Sequence, residues 1–366
     1  MKNTANLVIG AGMTGITIAR KLAESGEKVI LVEKEDHLGG NCRDFFDKHG
    51  CYVQSCGPHI FHTCDKEVWN FLSLFTEWNR YTHKVLAYVD GKLMPVPFNH
   101  NSLRIAFPKD YDTLAEKLLR RTGGRGLSVM TLRNDADKDL RTLGEYVYNR
   151  IFLNYTIKQW GVAPDKLDPT VVDRVPVYAG EDDRYFRDDI FQGIPIAGYS
   201  ALFNNMLNHK NIRLLLGTDY RSLRYADYAR TIVTSPVDEF FSYEFGSIEY
   251  RRIRLIFEEH KCRSFQENSV INYPNEHGYT RITEYNKFLG LEKDKTIISK
   301  EYASSDNGFL AYPVLTKQNS KTIDRYMHKA EEQKNIHFAG RLAECRYYDM
   351  DDACRRGMDL CAALLE

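Results

Sequence analysis

The sequence of 366 residues predicts an α/β fold with a helical insert and an antiparallel sheet domain. First, the chain opens with a short apolar strand, a glycine-rich turn, a helix and a second strand. Second, this alternation stops after about residue 80, where a helical stretch is followed by strands rich in tyrosine. Third, a strand, a glycine turn and a helix return after about residue 335. We therefore expect one nucleotide-binding domain assembled from both ends of the sequence, with two domains between.

The composition restricts the class of protein. The 50 basic and 50 acidic residues give zero formal charge, so nothing electrostatic favours binding to nucleic acid or to a membrane surface. Hydrophobic residues make up 43% of the chain, yet no apolar run is long enough to cross a bilayer. The eight cysteines form no CxxC pair, and the opening residues do not read as a signal peptide. We expect a cytoplasmic protein with reduced thiols and no membrane span.

The opening glycine pattern, G-x-G-x-x-G at Gly10, Gly12 and Gly15, follows the apolar strand 7–9 and begins a helix. Gly10 permits the tight turn, Gly12 lets a pyrophosphate approach the backbone, and Gly15 lets the helix pack on the strand. The free N–H groups at the start of that helix favour phosphate. Glu33 ends the second strand about twenty residues later, where an acid accepts ribose hydroxyls. These features together predict a bound dinucleotide.

The small residues that follow this acid, Gly39, Gly40 and Asn41, favour FAD as the dinucleotide. A second glycine pair suits a backbone that lies along an adenosine pyrophosphate. The pattern resembles the FAD-binding amino-terminal segment of the glutathione-reductase-like flavoproteins, which include amine oxidases and sugar-nucleotide mutases. An acid at position 33 also argues against a 2′-phosphate on the cofactor.

The middle of the chain reads as a hairpin, a helical stretch and a set of short strands. Apolar alternation on both sides of Asp90-Gly91 predicts the hairpin. Glycines within 122–128 interrupt the helical stretch, and turns separate the later strands. The expected FAD-binding domain comprises 1–80, 195–240 and 315–366, the helical domain 98–175, and the antiparallel sheet or substrate domain 81–97, 176–194 and 241–314.

An aromatic helix is predicted over residues 143–161. Tyr148, Phe152 and Tyr155 recur at helical spacing beside an apolar stripe, and Trp160 follows one turn later. On spacing alone, core packing is the favoured interpretation of these aromatic side chains. The alternative is a surface on which a nucleobase and a sugar stack.

The stretch GPHIFHT at 57–63 places His59 and His62 three residues apart. The two side chains alone leave three interpretations open: a metal site, an acid/base pair, or the wall of another site. A metal site needs further ligands, and no residues with ligand spacing lie nearby in the sequence.

A family resemblance rests on blocks that occur in one order: GPHIFHT, NYTIKQWG, RVPV, FQGIP, GYTRITEY, YPV and FAGRLAECRYYDMD. These blocks resemble the UDP-galactopyranose mutase family from Ala5 to about Leu360. The resemblance implies a Rossmann-like FAD domain, a helical-bundle domain and an antiparallel-sheet domain. It also implies an isomerase that interconverts the pyranose and furanose forms of a nucleoside-diphosphate sugar with no net redox change. In that family N5 of reduced FAD forms a bond with the anomeric carbon, so no Ser, Cys or Lys nucleophile is needed.

The resemblance also implies roles for residues at matching positions. Arg174 and Arg281 would hold the diphosphate through their guanidinium forks, and His59 would face the flavin as the third catalytic candidate. A helix that opens near Asp349 would set its positive end against the reduced flavin. The implied substrate-binding residues are Phe152, Tyr155, Thr156, Trp160, Arg174, Tyr185, Asn272, Arg281, Tyr312 and Tyr347. The implied cofactor-binding residues are Gly10, Gly12, Met13, Thr14, Gly15, Glu33, Lys34, Gly40, Asn41, His59, Ile60, Arg341, Tyr347, Asp349 and Met350.

The resemblance favours a functional interpretation of both local patterns. It implies that the aromatic helix contacts uridine and sugar, and that GPHIFHT forms a wall against the flavin. His59 would then face the flavin ring, His62 would brace the loop, and no metal is expected.

The exact substrate is left open by three departures from the family pattern, Tyr178, His83 and Ile105. UDP-galactopyranose and its furanose isomer are the first expectation. The alternatives are a dTDP-6-deoxyhexose, as in a dTDP-fucopyranose mutase, and a UDP-2-acetamido sugar. An interpretation from another class is a redox enzyme resembling the amine oxidases, which share the FAD pattern. The resemblance further implies reduction by NAD(P)H or another donor, a homodimer, and a role in cell-surface polysaccharide synthesis such as that of O-antigen.

Overall fold

The structure is a computed structural model that describes residues 3–167, 175–304, 307–314 and 316–366. Its strands, numbered in chain order, are β1 (Asn3–Ile9), β2 (Val29–Val32), β3 (Asp44–Phe46), β4 (Tyr52–Gln54), β5 (Phe61–Thr63), β6 (Trp78–Asn79), β7 (Val85–Val89), β8 (Lys92–Val96), β9 (Gly126–Leu127), β10 (Val177–Tyr178), β11 (Phe191–Pro195), β12 (Ile212–Leu215), β13 (Tyr228–Val233), β14 (Tyr250–His260), β15 (Val270–Asn272), β16 (Arg281–Glu284), β17 (Thr296–Ser304), β18 (Phe309–Pro313) and β19 (Ile336–Phe338).

The α-helices are α1 (Met13–Glu24), α2 (Lys66–Ser73), α3 (His100–Ala106), α4 (Tyr111–Thr122), α5 (Val129–Arg133), α6 (Lys138–Val147), α7 (Leu153–Trp160), α8 (Tyr199–Leu207), α9 (Val237–Phe240), α10 (Lys317–Glu331) and α11 (Met350–Leu365). A π-helical turn, Tyr148–Phe152, joins α6 to α7. Short 3-10 turns lie at Gly40–Cys42, Pro164–Lys166, Tyr220–Ser222, Tyr225–Asp227 and Tyr285–Phe288.

A parallel sheet of five strands, in the order β12-β2-β1-β13-β19, forms the nucleotide-binding part. Its central strands are buried on both faces, which explains the uninterrupted apolar runs that begin at Leu7 and Val29. Helix α1 packs on this sheet and α11 packs on α1, where Thr14 Oγ1 donates to Ala353 O at 3.0 Å. The sheet thus combines strands from both ends of the sequence with β12 and β13 from its middle.

Helices α3 to α7 pack around a separate apolar core. Leu103, Leu118, Leu132 and Leu143 in this core are fully buried. The glycine pair at 123–124 takes positive φ angles of 58° and 84° and ends α4, as the sequence predicted.

A mixed sheet of seven strands, in the order β18-β14-β17-β16-β15-β7-β8, forms the third part. All its neighbouring pairs are antiparallel except β15 with β7. The predicted hairpin is β7–β8, and its turn residues Asp90 and Gly91 have φ angles of 51° and 76°. The predicted fold class is therefore confirmed, while the exact domain boundaries stay a prediction.

A small antiparallel sheet has three strands in the order β5-β11-β6. His62 of β5 lies opposite Gln192 of β11. Residues of the GPHIFHT stretch beside this pairing line a cleft. Among the described residues, no helix combines the length and apolarity that a membrane span requires.

Candidate active site

A cleft of about 720 Å³ lies between α7, the seven-stranded sheet and the start of α11. Nine of the ten predicted substrate-binding residues line this cleft. The tenth, Arg174, lies outside the described residues, and its chain neighbour Val175 lines the cleft. The nine are Phe152, Tyr155, Thr156, Trp160, Tyr185, Asn272, Arg281, Tyr312 and Tyr347.

The predicted cofactor-binding residues fall into two groups. One group lines the same cleft, and the other lies along the glycine turn, α1, the end of β2 and the start of the 3-10 turn Gly40–Cys42. The cleft group comprises Asn41, His59, Ile60, Arg341, Tyr347, Asp349 and Met350. The second group comprises Gly10, Gly12, Met13, Thr14, Gly15, Glu33, Lys34 and Gly40.

The glycine turn has the shape that a dinucleotide requires. A Cβ on Gly15 would lie 2.0 Å from Gly10 O, so only glycine lets α1 pack this closely on the turn. A Cβ on Gly12 would meet no protein atom within 4 Å. A Cβ on Gly40 would lie 3.5 Å from Gly12 Cα, so the two small-residue stretches adjoin. The turn therefore leaves backbone open beside Gly12, and these residues fit a bound pyrophosphate.

Glu33 stands at the end of β2 against this turn. Its Oε2 accepts from Ala11 N at 2.8 Å, and its Oε1 accepts from Glu35 N at 3.0 Å. These two bonds fix the carboxylate beside the glycines and leave each oxygen a further lone pair. The geometry is compatible with the predicted contact to ribose hydroxyls.

Arg281 forms a buried ion pair that sequence reasoning missed. Arg281 and Glu301 lie directly opposite each other on β16 and β17, and Nε is 3.0 Å from Oε1. The Glu301 side chain is 3% exposed and also accepts from Thr280 Oγ1 at 2.9 Å. Burial opposes the charge of Arg281, but Glu301 and the neighbouring tyrosines raise its pKa above its usual range. A permanent cation is therefore fixed in the cleft.

The aromatic helix differs from the predicted one in its register. Tyr148 is 7% exposed and lies in the helical core beneath Arg133, and Phe152 is partly buried against the same core. The π-helical turn Tyr148–Phe152 inserts one extra residue, which shifts the periodicity between the two halves of the helix. Phe152 and Tyr155 therefore line the cleft, whereas Tyr148 does not line it.

Two polar atoms in the cleft are buried without a hydrogen-bond partner, Asn272 Oδ1 and Tyr312 OH. Burial raises the pKa of Tyr312, and Gln159 opposes that rise without reaching hydrogen-bond geometry. The ring of Tyr312 lies 4.4 Å from that of Trp160 and 5.8 Å from that of Tyr347. Orphaned polar groups among aromatic rings are costly in a folded protein, and a polar ligand with stacking surfaces would satisfy them.

His59 is held as a neutral imidazole at the cleft wall. Its Nδ1 lies 2.9 Å from Gly57 O, and its backbone N–H donates to Gln54 Oε1 at 2.7 Å. Burial lowers the pKa of His59 to about 4, the Gly57 carbonyl opposes this, and Arg341 adds to it. With Nδ1–H donating to Gly57, Nε2 is left as an acceptor. Its ring therefore faces the cleft without charge at neutral pH.

The other histidine of GPHIFHT contacts a loop. His62 Nδ1 lies 2.7 Å from Asp189 Oδ2, and its ring stacks on Phe186 with centroids 3.5 Å apart. All three residues line the cleft. Sequence reasoning named neither Phe186 nor Asp189, because their contact with His62 depends on the pairing of β5 with β11.

The start of α11 reaches the cleft as predicted. The helix begins at Met350, and Asp349 N donates to Asp352 Oδ2 at 3.0 Å at its first turn. Arg341 Nε donates to Tyr348 O at 3.0 Å and thereby holds the preceding loop. Asp349, Met350 and Asp352 line the cleft, so the positive end of this helix lies at its wall.

The three departures from the family pattern lie in different places. His83 lines the cleft and is 4% exposed, and burial lowers its pKa to about 3. The ring of Tyr178 lies outside the cleft lining under the guanidinium of Arg187, at 4.0 Å. Ile105 packs against the helical core. Only His83 of the three therefore reaches the cleft among the described residues.

Family models match two parts of the chain. Residues 150–347 match the family described as UDP-galactopyranose mutase. Residues 8–75 match the family described as an NAD(P)-binding Rossmann-like domain.

Curated relatives match along nearly the whole chain. The chain is 35% identical over 357 residues to a probable UDP-galactopyranose mutase of Klebsiella pneumoniae, a match covering 96% of this chain and 92% of the relative. It is 35% identical over 370 residues to a dTDP-fucopyranose mutase of Escherichia coli, with 98% and 97% covered. The fold resembles a crystal structure of reduced UDP-galactopyranose mutase at a TM-score of 0.75 and 17% identity, covering 100% of this chain and 94% of that one.

Proposed function

The chain belongs to the UDP-galactopyranose mutase family, whose members are isomerases, and from this premise we propose that its substrate is UDP-galactopyranose with UDP-galactofuranose as product. The observation that carries the proposal is the Arg281–Glu301 pair beside two orphaned polar atoms and an aromatic wall. A fixed cation suits a diphosphate, and the rings suit a uracil and its ribose.

We propose FAD as the resident cofactor, held by the glycine turn, Glu33, Asn41, Arg341 and the start of α11. The open backbone at Gly12 and the helix end at Met350 support this assignment. When bound and reduced, FAD supplies the nucleophile for the anomeric carbon of the sugar. We further propose that the enzyme is active only with reduced flavin, which NAD(P)H or another donor would supply.

The first task of the protein is to hold the diphosphate while its bond to the sugar is broken. Arg281 uses Nε for Glu301, so its two terminal nitrogens remain to donate to phosphate oxygens. The hydroxyls of Tyr185, Tyr312 and Tyr347 are proposed as further donors. Arg174 is proposed as the second arginine of this site. Charge stabilisation on the departing diphosphate lowers the barrier because the donors are already in place.

The second task is to orient the nucleoside. Phe152, the last residue of the π-helical turn, and Tyr155 and Trp160 of α7 line the cleft. Asn272 presents a buried oxygen that lacks a partner and is proposed to accept a hydrogen bond from the nucleotide or the sugar.

The third task is to stabilise negative charge on the reduced cofactor. The free N–H groups at the start of α11 carry partial positive charge, which favours an anion nearby. His59 is neutral at physiological pH, so it adds hydrogen-bonding capacity to this wall without adding charge.

A dTDP-6-deoxyhexose is the second candidate substrate. The dTDP-fucopyranose mutase of Escherichia coli is as similar to this chain as the Klebsiella relative, at 35% identity. The unusual His83 also lies in the cleft, where it can change the preferred sugar. A UDP-2-acetamido sugar is the third candidate.

The assay that tests the proposal uses protein reduced with dithionite and resolves products by HPLC. UDP-galactofuranose and dTDP-fucofuranose are supplied in parallel, and oxidised protein is the control. We expect a pyranose nucleotide from UDP-galactofuranose with reduced protein only. Absence of pyranose product from either nucleotide would overturn the proposal. Flavin reduction by an amine with release of hydrogen peroxide would favour an amine-oxidase activity instead.

The finer biological assignments are proposals that rest on family resemblance. We propose a cytoplasmic homodimer that supplies a furanose nucleotide for cell-surface polysaccharide such as O-antigen. Light scattering coupled to gel filtration tests the dimer, and a mass equal to that of one chain contradicts it.

A further inference from the structure

His62 connects the nucleotide-binding part of the protein to a loop that forms one wall of the cleft. We define the cleft loop as residues 182–189. The His62 side chain is 12% exposed and that of Asp189 26%, so their contact is largely shielded from solvent. The His62 ring is nearly parallel to Phe186, with 14° between the ring planes. Two side chains of the cleft loop are therefore held by one imidazole.

The cleft loop has other contacts, through its backbone and through side chains such as that of Asp183, which accepts from Asn99 Nδ2 at 2.7 Å. Tyr185 N donates to His83 O at 2.8 Å. Gln192 Nε2 donates to Phe186 O at 2.7 Å and to Asp189 O at 3.1 Å. These bonds fix the path of the chain, while packing against the apolar cluster that contains Ile60 and Val85 and contact with the Tyr185 ring contribute to the position of the Phe186 ring. That ring lies between two imidazoles, 3.5 Å from the His62 ring and 5.7 Å from the His83 ring.

The charges around His62 make Nδ1 the donor of the pair. The His62 hydrogen bond lowers the pKa of Asp189, against the effect of burial. Burial raises the pKa of Asp351, which faces His62 from α11, and burial lowers the pKa of His83 to about 3. An ionised Asp189 accepts only, so the proton of the bond resides on Nδ1. A charge-assisted hydrogen bond of this kind is stronger than a neutral one.

We propose that His62 and Asp189 form a positioning pair that fixes Phe186 and Tyr185 at the sugar–diphosphate end of the cleft. The pair governs how tightly the nucleotide sugar binds and leaves the chemical step unchanged. This inference rests on the proposed function, which assigns the diphosphate to Tyr185 and Arg281. His62 is a positioning residue here, because it acts through the cleft loop.

The test is a double-mutant cycle on His62→Ala, Asp189→Ala and the double variant, in reduced full-length protein. We expect each variant to raise the KM for UDP-galactofuranose about tenfold and to change kcat less than twofold. The KM of the double variant should equal that of either single variant, because each single substitution already removes the whole pair. His62→Asn retains a donor near the position of Nδ1, so it should recover most of the lost affinity.

A second readout does not depend on turnover. The Kd of UDP, measured by flavin fluorescence with oxidised protein, should rise about tenfold in the same variants and recover in His62→Asn. His260→Ala is the matched control, since His260 faces Glu258 at 3.4 Å on β14, away from the cleft lining. Its KM and UDP affinity should equal those of wild type.

Two results would overturn the inference. The first is a fall in kcat with KM and UDP affinity unchanged, which would make His62 a group of the chemical step. The second is additive loss in the double variant, which would mean that the two side chains act separately. Failure of the proposed function is distinguishable from both, because wild-type protein would then turn over neither furanose nucleotide.

Discussion

Arg281 and Glu301 face each other across two antiparallel strands, with the guanidinium Nε 3.0 Å from the carboxylate Oε1. The carboxylate is 3% exposed, and among the described residues Arg281 is the ion-pair partner that compensates its negative charge. The pair orients the guanidinium before any substrate arrives, and such preorganised charge is effective in catalysis.

Replacing Arg281 by alanine should abolish turnover and leave flavin bound. The diphosphate would lose its fixed cation, and a loss of roughly a thousandfold in kcat/KM is typical for removal of one such charge contact. Steady-state kinetics and the flavin absorbance per protein measure the two effects. Arg254→Ala is a suitable control, because Arg254 lies on β14 over Tyr302 and outside the cleft lining. A variant that loses its flavin would show that Arg281 supports the cofactor instead.

Replacing Glu301 by glutamine should weaken both stability and substrate binding. The amide keeps the shape but leaves the Arg281 charge uncompensated, which costs about 3 kcal/mol in the free energy of unfolding. The freed guanidinium should also raise the KM for the nucleotide sugar about tenfold. Urea unfolding and kinetics of the reduced protein measure the two changes. Unchanged stability would mean that the pair is weak despite its burial.

Two alanine substitutions in the glycine turn should have different effects. Gly12→Ala places its methyl group in open space, so the apoprotein should keep its thermal midpoint while flavin content falls at least tenfold. Gly15→Ala places a methyl group 2.0 Å from Gly10 O, so the apoprotein itself should be destabilised by several kcal/mol. Thermal unfolding and flavin absorbance separate the two outcomes. Full flavin content in Gly12→Ala would contradict a pyrophosphate at this backbone.

Replacing Tyr312 by phenylalanine should leave the free protein as stable as wild type or slightly more stable. The hydroxyl is buried without a partner, so its removal relieves a desolvation cost of about 1 kcal/mol. The affinity for UDP should fall about tenfold, because a donor to the diphosphate is lost. Thermal midpoints without ligand and UDP titrations test this prediction. A marked loss of stability with unchanged UDP affinity would assign the hydroxyl a structural role.

His83 should make the protein less stable as the pH falls below neutrality. Its pKa is lowered to about 3 in the folded protein from an ordinary value of 6.5, so between these values only the unfolded chain binds the proton. The contribution of neutral His83 to the free energy of unfolding is fully present above pH 6.5. Below that pH it is lost at up to about 1.4 kcal/mol per pH unit. Urea unfolding of wild type and His83→Asn at pH 7.5 and pH 5 should show a smaller loss in the variant. Equal losses would mean that His83 does not cause the acid sensitivity.

The sequence was informative where function imposes a local backbone geometry. Gly10, Gly12 and Gly15 satisfy three steric requirements within one turn, and Asp90-Gly91 meets the demand of a tight hairpin for positive φ. Such requirements depend on neighbouring residues only, so they can be read without the fold.

The features that sequence reasoning missed depend on strand register or on an irregular helix. Glu301 meets Arg281 only because β16 and β17 pair in one register, and Asp189 meets His62 through the pairing of β5 with β11. The predicted regular helix over 143–161 is interrupted by a π turn, which a regular period of 3.6 residues cannot represent.

The order of strands in the parallel sheet has a consequence for biosynthesis. β1 is made first, yet its neighbour β13 spans Tyr228–Val233, and β19 joins the sheet only at Ile336–Phe338. Helix α11, which begins at Met350, then packs on α1 through Thr14 and Ala353. While a ribosome is still making the chain, the glycine turn therefore lacks the elements that enclose it. Uptake of the proposed FAD into an enclosed site would therefore have to wait until the segment through α11 has been made.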